Sequence, residues 1–254
     1  DGALQLINFQ ALPAGPGRYL IDGGPLLHML PAERDLVPVD DERPVATGLL
    51  AMGNPAFNRA AAGTASRATK CASIRRESFE SLPSTAVEIR ELTRSWADGK
   101  AEVVQGEQAT EAAFRQRASG KRVVHVATHG FFLGDGCAKD GGPLVASGLV
   151  LAAGQGDDGL LTAEEVAGLN LDGVEWVVLS GCETGLGQVS GGEGVVGLRR
   201  SFQAAGASTV IMSLWAVGDR SALEWMRALY AARFKRGLST PESLRAAGRE
   251  MLSA

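Results

Sequence analysis

No apolar stretch in this sequence approaches the roughly 20 residues that a helix needs to cross a bilayer; glycine or a charge interrupts each one. A membrane-spanning role is not expected. Nor is there a run of Lys or Arg, or an acidic tail: 25 basic residues stand against 29 acidic ones, for a net charge of −4. Direct nucleic-acid binding is therefore not expected either. Cysteine is scarce. Cys71, Cys137 and Cys182 are odd in number, lie far apart and lack metal-ligand spacing. That pattern argues against a disulfide framework and against a metal or other cofactor, and a reducing, cytoplasmic compartment is the default. No secretory leader is visible, and the chain opens on Asp1 rather than Met, as a processed form or a domain cut from a longer protein would. Gly192-Glu193-Gly194 precedes a helical stretch, but neither a P-loop Lys nor a dinucleotide fingerprint follows it. No repeat of solenoid period is present.

Against these absences stands a hydrophobic fraction of 45% over 254 residues, enough for a sizeable core. The 33 glycines are spread along the chain and mark no linker. A single domain over 1–254 is expected, with 1–120 as a non-catalytic half and 121–254 carrying the reactive motifs. Strand patterns occur at 4–9, 47–52, 102–104, 122–127, 148–152, 174–180 and 209–213, and those at 174–180 and 209–213 read as buried. Helical patterns fall between them. Thr85 and Glu88 form a capping box ahead of Ile89, Leu92 and Trp96. Thr110 caps a helix to about Ala118, and Thr162 with Glu165 makes a second box. Further helices are expected over 195–205 and 221–236, the latter stopping at Gly237, and after Thr240, an N-cap followed by Pro241. Residues 56–80 are small, polar and basic, and read as a mobile surface loop. The alternation predicts an α/β fold: a mostly parallel sheet with helices on both faces.

In such sheets ligands bind outside the carboxyl ends of the strands. Two strands here end in reactive side chains. The strand at 122–127 runs into Thr128-His129-Gly130, and the one at 174–180 delivers Gly181-Cys182. Glycine beside each lets a substrate main chain approach and lets main-chain N–H groups point at it. An ionised cysteine sulfur is a strong nucleophile, and an imidazole can protonate a leaving amine. The N–H groups of Gly130 and Cys182 are candidates to hold an oxyanion. Taken singly, each residue reads as structural: a cysteine after an apolar strand is commonly a small buried hydrophobe. Together, at corresponding strand ends with glycine beside each, they point to a catalytic pair; their separation is close to the ~50 residues quoted for caspases, but such a spacing does not transfer between families. His125, inside the strand, is expected to face the packed interior. His28 reads as structural, Cys71 as an exposed bystander, and Cys137 as a loop residue without a partner.

Residues 123–131, VVHVATHGF, resemble the His motif of the CHAT family, a caspase-like peptidase domain often found behind helical TPR repeats. Residues 177–187, VVLSGCETGLG, resemble its Cys motif. The resemblance extends through Gly192-Glu193-Gly194, through 201–207 and 213–219, and upstream through 50–55 and 82–88. It implies a caspase-like three-layer α/β/α sandwich, peptide-bond hydrolysis, and a dyad of His129 and Cys182. It also implies a protein substrate and an upstream TPR-type sensor or regulatory subunit as partners. The QAC pentapeptide of caspases is absent, so cleavage after Asp does not carry over.

In caspase-like enzymes the edge that follows the Cys-loop helix forms one wall of the pocket for the residue before the scissile bond. Here that edge is 209–213 leading into 214–219, which is similar to the matching stretch of separases, relatives that cleave after Arg. The resemblance places Ser213, Trp215 and Asp219 at the pocket. An Asp219 carboxylate at its floor would favour Arg or Lys; the alternative is that Asp219 caps a helix beginning near Ser221. Glu183 and Asp135 are further acidic candidates. Loops at 133–142 and 185–194 are expected to order weakly without substrate. Two other functions remain open: a catalytically silent regulatory or scaffold module, and a thiol acyl hydrolase or acyltransferase on a small substrate.

Overall fold

The computed structural model describes residues 7–28, 30, 46–57, 79–132, 144, 147–181, 193–213 and 217–253. A hairpin of β1 (Pro13–Gly15) and β2 (Arg18–Tyr19) precedes the short helix α1 (Leu20–Gly23). Then follow β3 (Leu49–Pro55), α2 (Pro83–Ser95), β4 (Ala101–Gly106), α3 (Glu111–Arg117) and β5 (Val123–Ala127). Next come β6 (Gly130–Phe132), β7 (Ser147–Val150), β8 (Leu160–Thr162), α4 (Ala163–Ala167) and β9 (Trp176–Ser180). The chain continues through α5 (Glu193–Ala204), β10 (Thr209–Met212), α6 (Asp219–Tyr230), a π-helical turn (Ala231–Lys235) and α7 (Thr240–Leu252).

Five strands form one parallel sheet in the order β10-β9-β5-β3-β4. Its three central strands, β9, β5 and β3, are largely apolar on both faces because helices cover both. Leu50, Met52, Val124, Val126, Val177 and Leu179 pack with Phe114 of α3, Val166 of α4 and Phe202 of α5. The alternate residues Leu49, Ala51, Val123, Trp176 and Val178 pack with Ile89 and Leu92 of α2, Met226 and Leu229 of α6, and Ala247 of α7. The result is the expected three-layer α/β/α sandwich with a parallel central sheet. A smaller antiparallel sheet, β6-β7-β8, takes up the chain just after His129. Only its middle strand was legible, since three-residue strands such as β6 and β8 show no period.

Several local expectations need correction. Asn8 caps a single 3-10 turn, Phe9–Ala11, where the strand at 4–9 was expected to end; residues 4–6 lie outside the described residues. The predicted capping box of Thr85 and Glu88 does not form. Pro83 starts α2 three residues earlier, with Leu82 rather than Thr85 as N-cap, so both side chains lie inside the helix and turn to tertiary partners. The strand at 209–213 is the sheet's edge rather than a buried strand, and Ile211 is the sole buried residue of β10. The N-cap of α7 is Ser239, not Thr240, because Glu242 closes a capping box with Ser239. Thr240 Oγ1 instead accepts a hydrogen bond from Trp176 Nε1 at 2.9 Å. The box of Thr162 and Glu165 and the Thr110 cap are as expected.

Candidate active site

The two motif strands are neighbours. β5 and β9 run in register with Ala127 beside Ser180, and one residue further Thr128 N–H donates to Ser180 O at 3.1 Å. Beyond that point the main chains nearly touch. A Cβ placed on Gly181 would stand 2.2 Å from Thr128 O and 4.0 Å from Gly130 N. Glycine is required there by the close approach alone. Ser213, just past β10, donates through Oγ to Gly181 O at 3.1 Å. Three strand ends thus converge on the residue before Cys182. Cys182 itself lies outside the described residues, as do Cys71, Cys137, Asp135, Glu183 and Trp215, the loop at 133–142, and all of 185–194 except the start of α5.

His129 is 3% exposed, and its ring is held on three sides. Nε2 lies 2.7 Å from Glu80 O. A carbonyl only accepts, so Nε2 carries the proton, and a neutral ring then keeps its lone pair on Nδ1. Phe57 and Phe79 pack against the imidazole with ring centroids 4.9 and 5.4 Å away. Val150 N–H donates to His129 O at 2.8 Å, and Thr128 Oγ1 donates to Val150 O, so β7 fixes the main chain on either side of the ring. That first bond flanks the Gly130–Leu149 pair of the antiparallel ladder. By the alternation of such ladders, Gly130 N–H is outside the β6–β7 bonds. Phe57, Phe79 and Glu80 were missed in the sequence because they border or fall within the polar stretch read as a loop. The available signal was a pair of aromatics bracketing small, polar residues.

The CHAT domain family model matches residues 1–254. The chain belongs to the CHAT domain family. A search of the curated proteins finds no match.

Beneath the Gly181–Thr128 contact of the CHAT domain lies a buried polar cluster. Glu88, on the sheet-facing side of α2, is 2% exposed. Its Oε2 accepts from Ser180 Oγ at 3.0 Å, and its Oε1 stands 2.8 Å from His125 Nε2, a close contact rather than an aligned hydrogen bond. His125 Nδ1 is 3.0 Å from Tyr230 OH on α6. Burial, with the Glu88 charge adding to it, raises the Tyr230 pKa well above its usual value, so the phenol stays protonated in this contact. His125 therefore faces the packed interior, as its place in the strand predicted.

A cavity of about 310 Å³ opens at the ends of β9 and β10. Leu179, Met212, Val217, Trp225, Met226 and Met251 supply its apolar wall, and Ser180, Gly181 and Ser213 its polar edge. Asn8 and Ser221 also reach it; no charged side chain lines it among the described residues. Asp219 is the first residue of α6, with Gly218 in the N-cap position, and its side chain is outside the described residues. Among the described residues no group of His, Cys, Asp or Glu is arranged to hold a metal, and no helix is long and apolar enough to cross a membrane.

Proposed function

We propose that this CHAT domain is a cysteine endopeptidase in which Cys182 attacks the peptide carbonyl and His129 moves the proton. The observation that carries this reading is the contact of Gly181 with Thr128: it brings the residues flanking Cys182 and His129 to one point on the sheet edge. His129 Nδ1 takes the thiol proton, giving a thiolate and an imidazolium. The Glu80 carbonyl, accepting from Nε2–H, orients the ring and stabilises its charged form. The sulfur adds to the carbonyl carbon, and the N–H groups of Gly130 and Cys182 are suited to the oxyanion. Nδ1–H then protonates the departing amine as the C–N bond breaks. Water, deprotonated by the same nitrogen, hydrolyses the thioester and releases the acid.

The cavity beside Gly181 favours an apolar side chain before the scissile bond, of Leu or Met size, because its described lining offers no counter-charge for Arg or Lys. The basic preference suggested by the sequence rests on Asp219. A peptide series differing at that position distinguishes the two: faster turnover of the Leu and Met peptides supports the apolar pocket, and faster turnover of the Arg peptide supports Asp219. The natural substrate is a protein, and the family resemblance supports an upstream TPR-type sensor as activator.

The assignment is tested with a peptidyl acyloxymethyl ketone on the full chain, read by intact mass and peptide mapping. Labelling of Cys182 that disappears in His129→Ala, together with peptide cleavage, is the expected result. Absence of both labelling and cleavage would favour the silent regulatory module. Turnover of small acyl thioesters without peptide cleavage would favour the acyl hydrolase.

A further inference from the structure

The CHAT domain keeps a carboxylate, Glu88, in the layer between α2 and the sheet, where an apolar side chain would pack without desolvating a charge. Its two contacts both belong to motif strands. Ser180 is the last residue of β9, two positions before Cys182, and His125 lies in β5, four positions before His129. One side chain of α2 thus ties that helix to both strands that end in reactive residues. Tyr230 of α6 closes the cluster from the next helix.

α2 also holds the segment that grips the imidazole. Glu80 O receives His129 Nε2–H, and Phe79 packs on the ring. That lead-in is locked to the first turn of α2 by Thr85, whose Oγ1 donates to Leu82 O at 2.6 Å and accepts from Asn54 N–H at 3.1 Å. The position of Glu80 O relative to the ends of β5 and β9 is therefore set by how α2 sits on the sheet. Apolar contacts along α2 supply adhesion but little direction, whereas the Ser180–Glu88 hydrogen bond restricts both distance and angle and the close His125–Glu88 contact restricts distance. We propose that Glu88 is a positioning residue: through Ser180 and His125 it sets α2 on the two motif strands, and so sets the carbonyl and aromatic ring that orient His129. The proposal rests on reading His129 and Cys182 as the dyad.

The test uses the full chain carrying Cys71→Ser and Cys137→Ser, so that Cys182 is its one thiol. Iodoacetamide alkylation is followed by intact mass from pH 5 to pH 10, with thermal melts alongside. An oriented imidazolium lowers the pH at which the thiolate forms, so the parent should react with a midpoint below the usual thiol value of about 8.5. Glu88→Gln, still folded, should move that midpoint toward the usual value and slow alkylation at pH 7 by about tenfold, the size of one pKa unit. A Glu88→Gln protein that melts lower yet keeps the parent midpoint and rate overturns the proposal, since a purely structural role moves only the melt. If Glu88→Gln does not fold, Ser180→Ala and Tyr230→Phe each carry the same expectation at about threefold, the loss of one hydrogen bond from the cluster; parent-like profiles in both overturn it. The His129→Ala arm separates the two levels. A parent profile that His129→Ala leaves unmoved sinks the dyad and this proposal with it. A His129-dependent profile indifferent to Glu88 sinks this proposal alone.

Discussion

At the amino ends of β5 and β9, Arg122 donates to Glu175 through Nε at 2.6 Å and pairs also with Asp98, while Arg233 donates to the same Glu175 at 3.0 Å. Water reaches this cluster: the Arg122 and Glu175 side chains are 30% and 26% exposed. Further along the same strands, in a cluster reaching from the middle of β5 to the carboxyl end of β9, Glu88, His125, Ser180 and Tyr230 are each 4% exposed or less. The contrast lies in the cost of error. A solvated ion pair that loses a partner is rescued by water, and such pairs contribute up to about 1 kcal/mol each. A buried polar group that loses its partner costs about 1–3 kcal/mol, more when charged. Shared ion pairs at the amino end tolerate variation. The buried cluster tolerates less, because water cannot replace a lost partner there.

The sharpest break of this comparison is at the reactive end itself. Cys182→Ala and His129→Ala should each reduce peptide turnover by about 10⁴-fold or more, and the double variant should lose no more than either alone. Near-parent turnover in either variant overturns the dyad, and thermal melts should show both folded. Next in size is Gly181→Ala. Its Cβ would meet Thr128 O at 2.2 Å, so the two motif segments must separate. A loss of about 1–3 kcal/mol in a denaturant titration is expected, with turnover falling in the same variant. Val217→Asp, which puts a carboxylate in the apolar cavity, should move peptide preference toward Lys and Arg by about tenfold. An unchanged preference would place the specificity pocket elsewhere.

Smaller effects sharpen the contrast. Glu111, at the start of α3, is a second buried carboxylate, paired with Arg115 at 2.8 Å and accepting from Gly159 N–H at 2.9 Å. Burial, then the neighbouring charges of Glu165, Asp158 and Asp157, raise its pKa to about 8 from 4.5, against the pull of Arg115. Between those values the folded state binds the extra proton, so this group's contribution to stability falls as pH rises from 4.5 to about 8. Glu111→Gln, neutral throughout, should therefore gain in melting temperature relative to the parent between pH 5 and pH 8. A difference that stays flat across that range would mean Arg115 keeps the carboxylate charged. The smallest change is expected from Glu175→Gln: about 1 kcal/mol or less of stability, diminished by salt, with turnover unaltered.

Much of this domain is legible in local pattern. The apolar runs that became β5 and β9, the Thr110 cap and the box of Thr162 and Glu165 all follow from residues a few positions apart. The same rules mislead at α2. Thr85 and Glu88 have the spacing of a capping box, but Pro83 begins the helix earlier and both side chains turn to the sheet. The stretch at 56–80 read as a polar surface loop, although its two ends supply the groups that pack on and hold His129.

By itself the sequence determined the alternation of strand and helix, the order of the motifs, and the glycines beside His129 and Cys182, because these depend on near neighbours and on steric freedom. Tertiary structure alone decided which nitrogen of His129 carries the proton, what Glu88 does inside the fold, and that Gly181 lies against Thr128. Those outcomes depend on groups distant along the chain: Glu80 and His129 are 49 residues apart, and Glu88 and Ser180 are 92. Only a packed sheet brings such groups within hydrogen-bond range, and only burial makes the direction of each bond matter.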